Sequence, residues 1–150
     1  MNNKTVILLS EDDEGHAKLI KNNIKRASIN NDIVVFRDGQ QTLDFLYRKG
    51  PGPHRENGVS YLLILDLNMP LVNGFEILKQ LKQDSDLRKI PVVVLSVSDD
   101  PEQIDRCYKI GCSKYIIKPI DNTSFSNAIR NLGRYIYRDV MPNLGPTSLN

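Results

Sequence analysis

The sequence predicts an α/β sandwich built on a parallel sheet, and three observations carry that prediction. Short apolar runs rich in Val, Ile and Leu recur along the chain: TVILLS, IVVF, YLLILD, PVVVLS and KYIIK. None alternates with polar residues, the mark of strands covered on both faces. Amphipathic stretches separate them, so strand and helix alternate five times, which implies right-handed crossovers and layers of helix on both sides.

The first strand spans 5–10 and runs into Ser10-Glu11-Asp12-Asp13. Residues 14–28 then place Ala17, Ile20, Ile24 and Ala27 on one helical face. The second strand is 33–36, and the helix over 39–49 offers Leu43, Leu46 and Tyr47 inward. Gly, Pro and Asn make 50–60, GPGPHRENGVS, a loop. The third strand, 61–66, climbs through five apolar residues to Asp66, then Leu67 and Asn68. A helix over 73–83 buries Ile77, Leu78 and Leu81. The fourth strand, 91–96, ends in Ser96-Val97-Ser98, and a helix over 100–110 turns Ile104, Cys107 and Tyr108 inward. The fifth, 114–118, ends in Lys118-Pro119. A last helix over 121–137 carries Phe125, Ile129, Leu132 and Ile136 at i, i+4, i+7 and i+11. Asp100 and Asp121 are N-cap candidates. One domain over 1–137 and an irregular tail over 138–150, with Pro142, Gly145 and Pro146, account for the 150 residues.

Composition narrows the function. A formal charge of +2 with no basic run gives no electrostatic footprint for nucleic acid. The N-terminal apolar stretch is four residues, Val6 to Leu9, too short for a signal peptide or membrane span, so a cytoplasmic location is expected. Cys107 and Cys112 lack metal-site spacing and are read as small buried side chains. His16 and His54 lie outside any helical hairpin that could present a phosphohistidine and are read as solvated. Asn122-Thr123-Ser124 matches a glycosylation sequon and, without secretion, is treated as chance.

Ligands in open parallel sheets bind beyond the carboxyl ends of the strands. Glu11, Asp12, Asp66, Ser96 and Lys118 all stand at such ends. Crowded carboxylates need a counter-ion, and hard oxygen donors suit Mg²⁺. A metal, an amine and a hydroxyl around one carboxylate suit a phosphoryl group, with Asp66 as nucleophile.

These residues resemble the receiver domains of two-component response regulators. The resemblance covers about residues 4–137. It rests on the acidic pair Glu11-Asp12, D-x-N-M-P-x-x-x-G at Asp66 to Gly74, the hydroxyl at Ser96, and Y-x-x-K-P at Tyr115 to Pro119. It implies a flavodoxin-like (βα)5 fold with sheet order 2-1-3-4-5. It implies Asp66 as phosphoacceptor and Mg²⁺ held by Asp12, Asp66 and the Asn68 backbone carbonyl, with Glu11 acting through water. Lys118 would bond the phosphoryl oxygens, Ser96 and Tyr115 would form the switch, and Asn68 and Ser98 would tune dephosphorylation. Lys118-Pro119 looks like the family's cis peptide, Pro70 and Gly74 would shape the turn after the acceptor strand, and 36–39 reads as a structural turn.

The expected function is that of a single-domain response regulator, not an enzyme on exogenous substrates. It would take a phosphoryl group from a sensor histidine kinase onto Asp66 and change its partner binding through the face of the fourth helix, fifth strand and fifth helix. A shuttle or sink in a phosphorelay uses the same residues. A haloacid-dehalogenase-like phosphatase, the reading from another class, needs an acid where Asn68 stands. The loop before the third strand and the apolar Ile136-Tyr137 exit resemble stand-alone receivers that serve phytochrome-type kinases, some of which form homodimers. Ile136 and Tyr137 either finish the core or form an interaction face.

Overall fold

The computed structural model describes residues 5–118 and 122–140. Five parallel strands form one sheet: β1 (Thr5–Ser10), β2 (Ile33–Phe36), β3 (Ser60–Asp66), β4 (Val92–Ser96) and β5 (Lys114–Ile117). Their order is β2-β1-β3-β4-β5, as expected. The helices are α1 (Glu14–Arg26), α2 (Gly39–Tyr47), α3 (Gly74–Gln83), α4 (Pro101–Ile110) and α5 (Asn122–Tyr135).

The unbroken apolar runs split between the two faces of the sheet. Leu8, Leu63, Leu65, Val92 and Val94 pack with α2, α3 and α4 through Leu46, Ile77, Leu78, Leu81 and Cys107. Ile7, Leu9, Leu62, Ile64, Val93 and Leu95 pack with α1 and α5 through Ile20, Ile24, Phe125, Ile129 and Leu132. Each fully buried aliphatic side chain contributes about 1.5–3 kcal/mol of transfer free energy. Anchoring is uneven among the helices: α3 buries Gly74, Ile77, Leu78 and Leu81, whereas α4 buries Cys107 alone.

Helix starts are set by side-chain caps. Asp100 accepts from the Glu102 N–H at 3.1 Å, as expected. Asp13, Asp38 and Asn73 cap α1, α2 and α3 in the same way, each accepting from an N–H three residues on. The 36–39 turn is therefore structural: Asp38 starts α2. Asp121 and the Lys118–Pro119 peptide lie outside the described residues. So do residues 141–150 of the expected tail.

Three expectations change. The helical path does not stop at 137: Ile136–Val140 form a π-helical turn after α5, so the first tail residues are helical. Tyr108 is not a core residue. Its side chain is exposed, and its hydroxyl accepts the Tyr115 N–H at 3.0 Å, a bond available only from the rim of the sheet. Ile136 and Tyr137 part company, Ile136 buried in the core and Tyr137 48% exposed. Among the described residues no helix is long and apolar enough to cross a membrane.

Candidate functional site

Parallel register brings the strand ends level. Ser10 pairs with Leu65, Asp66 with Leu95, and Ser96 with Ile117. The ladder continues one residue past the strands: Glu11 N–H bonds Phe36 O, Leu67 N–H bonds Leu95 O, and Lys118 N–H bonds Ser96 O at 2.7 Å. Residues 107 positions apart thereby meet at one edge.

The centre of the site is ionic. Lys118 Nζ lies 2.6 Å from Glu11 Oε1 and 2.9 Å from Asp66 Oδ2. All three are buried: Glu11 is 0% exposed, Asp66 4% and Lys118 7%. The other oxygen of Asp66, Oδ1, accepts the Asn68 N–H at 3.0 Å, which fixes the carboxylate plane. Burial pushes the Glu11 carboxyl up to about 7, with the charge of Asp66 adding and the bond to Lys118 opposing. Burial alone would depress the Lys118 ammonium, but the bond to Glu11 and the charges of Asp66 and Glu11 outweigh it and hold it above its ordinary value.

Asp12 is exposed and completes an acidic triad. Ligand oxygens of Glu11, Asp12 and Asp66 lie within 4.8 Å of one another. One ammonium against three carboxylates leaves two formal negative charges, which a single divalent cation neutralises. All three donors are hard oxygens, and two are held in place by burial. The cluster therefore fits a divalent metal. It opens to solvent through a cleft of about 220 Å³ lined by Glu11, Asp12, Asp13, His16, Asp66, Asn68, Val97 and Lys118.

Gly74 holds α3 against the acceptor strand. A Cβ there would sit 2.5 Å from Leu67 Cα and 2.9 Å from Asp66 O, so only glycine lets the helix approach this closely. Beside the ionic centre lies a neutral one. Ser96 Oγ, buried, accepts from Ser98 N–H at 3.2 Å and from Gln103 Nε2 at 3.1 Å. Tyr115 is also buried; its hydroxyl donates to Ser98 O and accepts from Gln103 Nε2, both at 2.8 Å.

Glu11, Asp12, Asp66, Asn68 and Lys118 thus line one cleft, and Ser96, Ser98 and Tyr115 form an adjoining network. His16 matches the solvated reading only in part: its side chain is 39% exposed, but its ring packs tilted against Phe125 at 4.7 Å, and Nδ1, buried without a hydrogen-bond partner, lies 3.9 Å from Glu11 Oε1. His54 stays on the surface, its Nε2 against the Lys49 and Gly50 carbonyls. Gln103 was not foreseen. Its signal is a polar side chain four residues before Cys107, on the inward stripe of α4.

Comparison with known proteins follows the same lines. A family described as response regulator receiver domain matches residues 7–130. The response regulator Rcp1 of Synechocystis sp. is 34% identical over 113 residues, spanning 75% of this chain and 76% of that one. The probable methanogenesis regulatory protein FilR2 of Methanothrix harundinacea is 34% identical over 131 residues, 87% and 82% of the two chains. A receiver domain from Rhodospirillum rubrum superposes with a TM-score of 0.81 at 42% identity, covering 88% of this chain and 93% of that one. The Mn(2+)-bound form of Rcp1 gives 0.80 at 29% identity, and the phosphorylated cyanobacterial phytochrome response regulator RcpA gives 0.77 at 27%. Each of these two covers 91% of this chain and 96% of its own.

Proposed function

The chain belongs to the response regulator receiver family of two-component signalling, and from that premise we propose that Asp66 accepts a phosphoryl group from a histidine kinase. The observation that carries this is the Lys118 ammonium bridging Glu11 and Asp66 beside Asp12. Asp66 is the one carboxylate of the group that also faces the Asn68 amide, so its position is fixed on both oxygens.

An Asp66 oxygen attacks phosphorus of the phosphohistidine. The P–N bond breaks, its electron pair returns to the imidazole nitrogen, and an aspartyl phosphate forms. The incoming phosphoryl adds charge of about −1.5 to −2. Lys118 exchanges its bond to the carboxylate for one to a phosphoryl oxygen, and the Ser96 hydroxyl supplies a second donor. Mg²⁺, held by Asp12, Asp66 and the Asn68 carbonyl with Glu11 through water, would neutralise charge on the phosphoryl oxygens. Asn68, at the mouth of the cleft, and Ser98, in the switch network, govern the approach of the water that hydrolyses the aspartyl phosphate, returning the Asp66 carboxylate and releasing inorganic phosphate.

The output surface is α4, β5, α5 and the π-helical turn after it, where the apolar side chains of Tyr108, Ile117 and Tyr137 are exposed. The likeness to RcpA, a cyanobacterial phytochrome response regulator, supports a phytochrome-type kinase as donor. Turnover of an exogenous phosphomonoester is not expected. Two residues past Asp66 stands Asn68, with no acidic proton to give a leaving group.

Intact-mass measurement with Mg²⁺ and acetyl phosphate tests the reading. The wild type gains one phosphoryl group and Asp66→Asn gains none. Equal labelling of the two, or none on the wild type, overturns it.

A further inference from the structure

The neutral network has a proton count that closes at every atom but one. Tyr115 has a single hydroxyl proton, and it goes to Ser98 O at 2.8 Å. The Gln103 atom at the Tyr115 oxygen must therefore be a donor, which fixes the amide with Nε2 inward. That NH₂ has two hydrogens. One goes to Tyr115 Oη and the other to Ser96 Oγ at 3.1 Å. Ser96 Oγ also receives the Ser98 N–H at 3.2 Å, so both of its lone pairs are filled. Its own proton has no acceptor among the described residues. Ser96 can act toward an incoming group only as a donor.

We propose that Gln103 is a positioning residue that couples Ser96 to Tyr115 and holds the Ser96 hydroxyl as a proton donor for the phosphoryl group on Asp66. This rests on Asp66 being the phosphoacceptor. Gln103 itself touches no reacting atom. It acts by filling an acceptor site on Ser96, which leaves the hydroxyl hydrogen for an anionic oxygen.

The same amide is a mechanical link. Gln103 and Tyr108 sit five residues apart on α4 and grip Tyr115 at its hydroxyl and its backbone N–H. Cys107, between them, is the one buried residue of this helix. A shift of Ser96 toward Asp66 pulls on Gln103 and so on the first turns of α4, while Tyr115 follows through its shared donor. The signal leaves the site along hydrogen bonds to a helix with little core to disturb.

The test measures initial rates of phosphoryl uptake from acetyl phosphate with Mg²⁺, by intact mass, on the full chain. The variants are Gln103→Leu, Gln103→Glu, Ser96→Ala and the double variant Ser96→Ala with Gln103→Leu. Loss of one hydrogen bond to the hydroxyl is expected to slow Gln103→Leu by roughly fivefold. Gln103→Glu is slower still, because its carboxylate accepts the Ser96 proton and takes the donor away. In the Ser96→Ala background, Gln103→Leu has no further effect. A melting curve on each variant checks folding. If Gln103→Leu does not fold, Gln103→Glu carries the same cycle. Wild-type rates for Gln103→Leu, or single effects that multiply in the double variant, overturn the proposal while leaving Asp66 as acceptor. Failure of the wild type to label removes both readings at once.

Discussion

Two polar clusters lie side by side at the carboxyl edge of the sheet, and they are held by different physics. Glu11, Asp66 and Lys118 form a buried ionic group with more negative charge than positive. Ser96, Ser98, Gln103 and Tyr115 form a network of neutral hydrogen bonds with one uncommitted proton. The first is incomplete in charge and gains by taking a cation. The second is complete except for one unused donor, the Ser96 hydroxyl, and gains by meeting an anion. A metal phosphoryl supplies both needs together, which is why a single chemical event can act on two clusters of unlike character.

The contrast predicts effects of different size and different sensitivity to divalent cations. Lys118→Met should be the most damaging to stability. It leaves two buried carboxylates facing each other, and breaking a buried pair by removing one partner costs about 3–5 kcal/mol. Urea unfolding measures the loss, and millimolar Mg²⁺ should recover part of it. No gain on adding Mg²⁺ would separate the metal from this cluster.

Tyr115→Phe should cost less, about 1 kcal/mol, because it removes neutral hydrogen bonds only. Its midpoint in urea should shift equally with and without Mg²⁺. A Mg²⁺-dependent shift would mean that the clusters are already coupled before phosphorylation.

A third expected effect is a slope against pH. In the absence of divalent cations the folded state keeps the Glu11 proton up to about 7. The unfolded chain releases it near the ordinary glutamate value of about 4.3. Within that window the folded state binds more protons than the unfolded one. Stability is therefore fullest below it and falls as pH rises through it. Urea midpoints at about pH 5 and about pH 8 should differ less for Glu11→Gln than for the wild type. An unchanged difference would assign the slope to another group.

The central strands β1, β3 and β4 were legible because burial on both faces demands unbroken Val, Ile and Leu, and the less buried edge strands β2 and β5 carry the same pattern. Glu11, Asp66, Ser96 and Lys118 were legible for a related reason. A charge or hydroxyl that ends such a run has to stand at the rim of the sheet. The strand order came from the family motifs, since nothing in the apolar runs states which neighbour pairs with which. Gln103 was hidden because its meaning depends on Tyr115, twelve residues on, and on Ser96, seven back. His16 was half legible, because a histidine among acids reads as a surface residue and its side chain is indeed partly exposed. Its ring also packs on Phe125, a neighbour supplied by α5 from the far end of the chain. Tyr108 misled because helical periodicity marks a face but not how far a long side chain reaches along it.

With Cys107 as its one buried residue, α4 is expected to open from the body of the protein at lower free energy than α3, which buries four. Its amides should trade hydrogen for deuterium well before those of α3. The helix proposed here as part of the output surface is then also a weakly anchored one. Phosphorylation need only limit that opening, so a binding surface of this kind can be retuned by exchanging a few solvent-facing side chains without touching the core.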